Sequence, residues 1–220
     1  MKFIFLLPLL WLSGIASAGN WPAWRGPTGD GVTPETGLPL KWSASENVAW
    51  KTALPAGGNS TPVVWGGRIF LTQAVEKGKH RSLIGFDGKD GRELWRHTVT
   101  YDREELTHET NPWCGGSPVT DGERVIACFA SAGVICVDFS GHELWRRDLG
   151  EQRHIWGAGP SPVIEGDRVF LNFGPGPFQT LYCLDKRDGK VIWKHAEPGG
   201  SSGETPPGGG KAEWTGSWGD

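Results

Sequence analysis

The segment LIGFDGKDGRELWRH, residues 83–97, occurs twice more along the chain in altered form. The later copies are VICVDFSGHELWRR at residues 134–147 and LYCLDKRDGKVIWKH at residues 181–195. Each copy has an apolar run, a turn that begins with Asp and contains Gly, and a second run that contains Trp. An incomplete earlier copy leaves the ending VAWK at residues 48–51. A period of this length predicts a repeat architecture.

The four tryptophans that end these copies, here called the closing tryptophans, are 45, 50 and 48 residues apart; they are Trp50, Trp95, Trp145 and Trp193. Two further runs complete each unit. One contains Pro-Val (TPVV at 61–64, SPVT at 117–120, SPVI at 161–164), and the other contains Arg (GGRIFLTQA at 66–74, DGERVIACF at 121–129, EGDRVFLNF at 165–173). Turn dipeptides such as Asp121-Gly122 separate the runs and are typical of hairpins.

Four antiparallel strands in about 40–50 residues are typical of a propeller blade, meaning one four-stranded sheet of the ring. The sequence therefore predicts an all-β fold, a partial β-propeller built from four-stranded antiparallel blades. The predicted divisions are a signal peptide at 1–18, a lead-in with the closing strand of an incomplete blade at 19–50, and blades at 51–95, 96–145 and 146–193. A flexible loop and the start of a further blade are predicted at 194–220.

The closing tryptophans are predicted to pack between neighbouring blades. Successive side chains of a strand point to opposite faces, so Leu94 and Trp95 cannot share one face. Because both are large and apolar, we expect both faces of the closing strands to be covered.

The N-terminus has the pattern of a secretory signal. Lys2 precedes the apolar run FIFLLPLLWL at residues 3–12, and Ala-Ser-Ala at 16–18 forms a cleavage site. The apolar run is shorter than the roughly 20 residues that a spanning helix needs. We therefore expect a periplasmic or secreted protein with no retained membrane span.

The charge balance gives no indication of a nucleic-acid partner. There are 22 Lys and Arg against 25 Asp and Glu, the net charge is −3, and the longest basic run is Arg146-Arg147. A nucleic-acid binder would be expected to carry a basic patch or stripe.

The cysteines allow two interpretations. Cys128 and Cys136 flank residues 130–133 and would face each other on a hairpin, where they could form a disulfide. Alternatively, Cys136 and Cys183 occupy the repeat position that Gly85 occupies in the first copy, which favours small, buried, reduced residues. Neither the cysteine spacing nor the acidic turns predict a metal site, since Asp commonly binds backbone N–H groups of its own turn.

The pattern x-D-x-x-(D)-G-x-x-(L/I)-W-(R/K) resembles the pyrroloquinoline-quinone-type β-propeller repeat, which includes BamB-type proteins. The lead-in WPAWRGP at residues 21–27, with GDG at 29–31, is similar to the start of exported bacterial propellers of this class. The resemblance implies a ring of seven or eight blades. Three complete units would then be about half of a ring, and we expect the sequence to be a truncated part of it.

The resemblance leaves three functions open: a non-catalytic binding or assembly scaffold, a quinoprotein dehydrogenase, and a fragment without a function of its own. The dehydrogenase would oxidise an alcohol or a sugar with pyrroloquinoline quinone and calcium. Dehydrogenases of this family carry two adjacent cysteines over the cofactor, and this sequence has no such pair. We therefore favour the scaffold and identify no catalytic residue and no cofactor. Protein partners or a small ligand are expected at the propeller rim.

The segments that join one blade to the next, residues 101–116 and 151–160, contain the candidate ligand-binding residues. In propellers such connections line one rim of the central channel, and aromatic rings beside polar groups are a common pocket composition. The candidates are His108, Asn111, Trp113, His154 and Trp156. The alternative is that the two tryptophans fill space between blades and that the histidines form hydrogen bonds within the loops.

Overall fold

The computed structural model describes residues 19–176 and 179–196. Within these residues the chain forms one three-residue 3-10 helix, Ala130–Ala132, and twelve strands. The strands are β1 (Val63–Trp65), β2 (Arg68–Val75), β3 (His80–Asp87), β4 (Glu93–Thr100), β5 (Val119–Thr120), β6 (Arg124–Cys128), β7 (Val134–Asp138), β8 (Glu143–Arg147), β9 (Val163–Glu165), β10 (Arg168–Phe173), β11 (Thr180–Asp185) and β12 (Val191–Ala196). The predicted signal peptide and residues 197–220 of the predicted loop lie outside the described residues.

The strands form three antiparallel sheets of four strands each within the described residues. The first sheet is β1-β2-β3-β4, the second is β5-β6-β7-β8 and the third is β9-β10-β11-β12, always in chain order. The prediction of an all-β, partial β-propeller made of four-stranded antiparallel blades is confirmed. No helix in the described part of the chain has the length and hydropathy needed to cross a membrane.

The core lies between the sheets, and the second sheet contributes to it on both faces. Val125 and Ala127 of β6 pack with Phe70 of the first sheet, while Ile126 of the same strand packs with Leu171 of the third sheet. All five side chains are at most 1% exposed. This alternation is what stacking requires, since a strand buried on both faces is apolar at successive positions.

The closing strands depart from this pattern. Leu94 and Leu144, which precede closing tryptophans, are 36% and 48% exposed. The expectation that both faces of these strands are covered is therefore wrong for the leucine face. β4 and β8 are the last strands of their sheets, so only the tryptophan face is turned into a sheet–sheet interface.

A small residue lies directly opposite each closing tryptophan in the three sheets. Gly85 pairs with Trp95, Cys136 with Trp145, and Cys183 with Trp193. A methyl group added at Gly85 would lie 2.4 Å from the ring of Trp95. A bulge follows the small residue in all three sheets. The indole therefore lies across the neighbouring strand, which requires a small residue at this repeat position.

The cysteines are all free and buried. The β6–β7 hairpin pairs Cys128 with Val134 and Cys136 with Ile126, so the two cysteines do not face each other. The prediction of facing cysteines is wrong because the hairpin closes from Phe129 to Gly133 around the 3-10 turn, which sets the register. Burial raises the pKa of the Cys136 thiol to about 12, as expected for a buried, protonated thiol.

Three of the four closing tryptophans, Trp50, Trp95 and Trp145, each donate a hydrogen bond from the indole N–H group to the sheet that follows them. We call residues 87–91, 138–141 and 185–189 the acidic turns. Trp95 donates to the carbonyl of Phe139 at 2.9 Å, and Trp145 donates to the carbonyl of Lys186 at 2.9 Å. Trp50, from the lead-in, donates in the same way to Gly88 of the first sheet, also at 2.9 Å. Every acceptor is the residue that follows the Asp of an acidic turn.

Glycine in the acidic turn makes room for the indole. A methyl group added at Gly91, Gly141 or Gly189 would lie 2.3–2.7 Å from the ring of the incoming tryptophan. These glycines also have φ between 68° and 84°, a region that other residues seldom adopt. The recurring Asp-Gly or Ser-Gly of the repeat is therefore part of the interface between sheets.

An arginine at the start of the second strand of the sheet reinforces the ties made by Trp95 and Trp145. Arg68 donates to the same Phe139 carbonyl as Trp95, and Arg124 donates at 3.1 Å to the same Lys186 carbonyl as Trp145. Each of these carbonyls therefore accepts two hydrogen bonds from the preceding sheet. This explains why Arg recurs at this position of the repeat.

Replacing Trp145 with Phe should destabilise the protein by about 1–3 kcal/mol, because it removes a buried hydrogen bond and part of a buried ring. The free energy of unfolding in urea measures the loss. Trp193→Phe is the matched control. Because Trp193 is 42% exposed, this substitution should lower the free energy of unfolding by less than about 0.5 kcal/mol. Equal losses in the two variants would contradict the role of the indole tie.

Asp121 should make part of the stability dependent on pH. Its carboxylate accepts the N–H groups of Glu123 and Arg124 at 3.0 Å and lies 3.0 Å from Lys186 of the third sheet. Burial alone raises the pKa of Asp121, but these N–H groups and Lys186 outweigh it and hold the pKa below its usual range. A lowered pKa stabilises the folded state above about pH 4, and this contribution is lost as the pH falls through the folded-state pKa.

Asp121→Asn should therefore cost on the order of 1 kcal/mol at pH 7, and the difference from the parent should shrink as the pH falls below about 4. Urea unfolding across this pH range measures it. Asp102→Asn is the control, because Asp102 is 76% exposed in its pair with Lys79 and should change little at either pH. A constant difference from pH 7 to pH 3 would contradict the assignment.

Candidate functional site

Serine side chains join the segments that lead into β1, β5 and β9, the first strand of each sheet, which we call the inner strands. The N–H of Thr61 donates to Ser117 Oγ at 2.8 Å, and the N–H of Ser117 donates to Ser161 Oγ at 3.0 Å. Each serine precedes a Pro-Val step, so the repeat sets the same contact twice. These bonds hold the starts of β1, β5 and β9 side by side.

A pocket of about 310 Å³ opens beside these serines, and we call it the connector pocket. It combines two indoles, two amides, two hydroxyls and glycine backbone. Its lining residues are Trp24, Asn59, Asn111, Gly115, Ser117, Trp156, Gly157, Gly159, Ser161 and Pro175. Among the described residues, no ionisable side chain lines it.

Asn111 joins the two connecting segments at this pocket. Its Nδ2 group donates to the carbonyl of Trp156 at 3.0 Å. Gly157 lies next to this contact with φ of 74°, and a methyl group there would lie 2.2 Å from Thr107 Oγ1 and 2.8 Å from Asn111 Nδ2. Asn111 Oδ1 is buried and accepts no hydrogen bond from the described residues. A buried amide oxygen without a donor suggests that a ligand or water can supply one.

His108 and Trp156 form an aromatic pair beside the pocket. Their ring centroids are 4.4 Å apart with an angle of 39° between the planes. Trp156 is 42% exposed, although an indole of this size usually gains from burial. The structure therefore brings three predicted residues together here: His108, Asn111 and Trp156.

The other two predicted residues, Trp113 and His154, do not line the connector pocket. The ring of Trp113 lies over Gly78, where a methyl group would be 2.5 Å away, and its Nε1 group donates to the carbonyl of Glu105. His154 is 3% exposed, and its Nδ1 accepts the N–H of Trp156 at 3.2 Å. Burial lowers the pKa of His154, so the neutral ring serves to hold the Trp156 loop.

Sequence reasoning missed a buried ion pair between the first two sheets. Arg81 Nη1 lies 3.1 Å from Glu105 Oε1, and the two side chains are 1% and 3% exposed. The same Nη1 donates to the carbonyl of Phe129, while Glu105 Oε2 accepts the N–H of Ser131 at 3.1 Å. A charged residue inside the apolar strand β3 was the available signal, but its partner lies 24 residues away in a loop.

The cofactor of the alternative function does not fit the connector pocket. Pyrroloquinoline quinone carries carboxylates that call for cationic partners, and calcium prefers carboxylate oxygens. The lining offers amides and hydroxyls instead. A neighbouring cleft contains Glu104, Glu105 and Glu151, but Glu105 is already paired with Arg81. No group of three or more His, Cys, Asp or Glu suited to a metal occurs in residues 19–176 and 179–196.

Glu105→Ala should destabilise the protein by about 3–5 kcal/mol, because it leaves the Arg81 charge buried and unpaired. Urea unfolding measures the loss, and Glu104→Ala, an exposed neighbour, should stay within about 0.5 kcal/mol of the parent. If Glu105→Ala does not fold, the double variant Arg81→Met with Glu105→Leu should restore folding, because it removes both charges. A Glu105→Ala protein as stable as the Glu104→Ala control would contradict the pairing.

Three solved structures were compared with this chain, each at 16% sequence identity. A europium-containing methanol dehydrogenase gives a TM-score of 0.50 over 65% of this chain and 25% of its own. The quinohemoprotein alcohol dehydrogenase from Comamonas testosteroni gives 0.50 over 64% and 21%, and BamB from Moraxella catarrhalis gives 0.46 over 67% and 39%. This chain thus spans about a quarter of the methanol dehydrogenase. At this identity, the two dehydrogenases show a shared fold and no more.

The comparison with protein families is more decisive. A search of curated proteins gave no match. A sequence profile of the family described as outer membrane protein assembly factor BamB matches residues 32–153 and 130–209. These ranges cover well over half of the chain and include all three sheets. The chain therefore belongs to the BamB-type family of pyrroloquinoline-quinone-like β-propeller repeats.

Proposed function

We propose that this chain is part of an exported, non-catalytic propeller that acts as a binding or assembly scaffold, with its ligand or partner contacting the connector pocket. The observation that carries the proposal is the composition of that pocket. Neutral hydrogen-bonding groups and exposed indoles converge there, as in recognition sites. The predicted signal peptide supports a periplasmic or secreted location, and the family description supports a role in assembly.

The construction of the pocket also favours binding. Both connecting segments are fixed before any ligand arrives, by Asn111 on the Trp156 carbonyl and by the serine contacts between the inner strands. A preformed site spends less free energy on ordering its loops when it binds. Trp156 and His108 lie at the outer side of this framework, where a partner can reach them.

The second candidate is a dehydrogenase that oxidises an alcohol or a sugar. The shared fold with two alcohol-oxidising enzymes favours it. The pocket chemistry opposes it, since the lining residues do not fit an anionic quinone or calcium. The scaffold is therefore the function that the described residues support better.

Site-specific photocrosslinking in exporting bacterial cells tests the scaffold. With p-benzoylphenylalanine in place of His108, illumination should give a discrete adduct with a component of the cell envelope. The matched control carries the same group in place of Glu46, which is exposed in the lead-in and away from the pocket. Equal adducts at both positions, or none at His108, would contradict binding at the pocket.

The purified protein, incubated with pyrroloquinoline quinone and calcium, tests the alternative. Reduction of an artificial electron-accepting dye with ethanol or glucose should not exceed the rate of a heat-denatured sample. Sustained turnover that requires both the quinone and calcium would overturn the scaffold in favour of the dehydrogenase.

A further inference from the structure

We infer that the connector pocket binds a neutral saccharide unit. The inference rests on the proposed function only in taking this pocket as a binding site, and it adds the chemical class of the ligand. It starts from the absence of charge: among the described residues, only neutral side chains and backbone line the pocket.

Two ionisable side chains outside the lining stack on its indoles. Arg25 lies 4.5 Å from the ring of Trp24, on which it stacks. His108 stacks on Trp156 and its Nδ1 is 2.8 Å from Thr110 Oγ1. An anionic ligand would find no free cationic partner in the lining, and a cationic ligand would find no carboxylate. Burying an unpaired charge is costly, so the pocket favours a neutral ligand.

The two exposed indoles indicate that the ligand has an apolar face. Trp24 and Trp156 are 43% and 42% exposed, whereas Trp145 is 7% exposed between its sheets. A flat indole offers a large contact area to a ring that presents C–H groups. The ring of a sugar has such a face, and its hydroxyl groups lie around the edge.

The polar groups of the lining suit hydroxyls. Ser117 Oγ and Ser161 Oγ each accept a backbone N–H, which leaves their own hydrogens to donate. Asn111 Oδ1 is an acceptor without a donor, and a methyl group at Gly115 would lie 3.2 Å from it. Groups that both donate and accept can satisfy both needs, and a sugar hydroxyl does both. A volume of about 310 Å³ accommodates one or two sugar rings.

Calorimetric titration of the purified protein tests the ligand class. The probes are maltotriose and N,N′,N″-triacetylchitotriose as neutral saccharides, trigalacturonic acid as an anionic one, and acetyl-Ala-Gly-Ala-amide as a neutral peptide. We expect a neutral saccharide to bind, with an affinity that changes little between low and high salt. The anionic saccharide and the peptide should bind at least about tenfold more weakly.

Two variants place the binding in this pocket. Trp156→Ala removes an indole face, and Gly115→Ala places a methyl group beside Asn111 Oδ1. Each should weaken saccharide binding about tenfold or more, and thermal unfolding should show that each remains folded. Trp42→Ala is the control: Trp42 is 71% exposed, lies outside the pocket lining, and should leave binding unchanged.

The outcomes separate this inference from the proposed function. Tighter binding of the peptide or of the anionic saccharide would overturn the saccharide assignment while the scaffold stands. If no probe binds but the group at position 108 still crosslinks, the saccharide assignment is likewise overturned while the scaffold stands. Saccharide binding that Trp42→Ala weakens as much as Trp156→Ala would also overturn the assignment to this pocket. Oxidation of a bound saccharide in the presence of the quinone and calcium would instead overturn the proposal of a non-catalytic scaffold.

Discussion

A single hydrogen bond, from an indole N–H to a backbone carbonyl of the next sheet, governs how the sheets of this protein are stacked. The indole of Trp95 needs Gly85 opposite it in its own sheet and Gly141 beneath it in the next. The accepting carbonyl of Phe139 also needs the turn that begins at Asp138. One contact therefore involves several residues of the repeat and links a fixed position of one sheet to a fixed position of the next.

The repeat made the architecture predictable. Trp, Gly and Asp at fixed spacing identify strands, turns and sheet count, because each is required by local backbone geometry or by the contact with the next sheet. The register of the β6–β7 hairpin was not predictable from symmetry. Cys128 and Cys136 lie on either side of residues 130–133, but the 3-10 turn sets a register in which they do not pair. The exposure of Leu94 was not predictable from the sequence either, since an apolar residue in the last strand of a sheet can remain partly exposed.

The site was predictable only in part, because loops have no periodicity. The composition of the connecting segments predicted His108, Asn111 and Trp156, which the structure brings together. The same reasoning could not separate them from Trp113 and His154, which fill space and support the loops. Nor could it find the pairing of Arg81 with Glu105, because that contact depends on how a connecting segment folds back onto β3. Composition identified the segments, and tertiary structure assigned the roles.

The indole ties also give the stack a direction. Trp50, Trp95 and Trp145 each reach forward to the following sheet, so the donor side and the acceptor side of this contact are different surfaces. Contacts between unlike surfaces that repeat in one direction generate closed rings or open filaments. The indole of Trp50 already occupies the space at Gly91 and donates a hydrogen bond to Gly88. A tryptophan from a second molecule could therefore make this contact with the first sheet only by displacing Trp50.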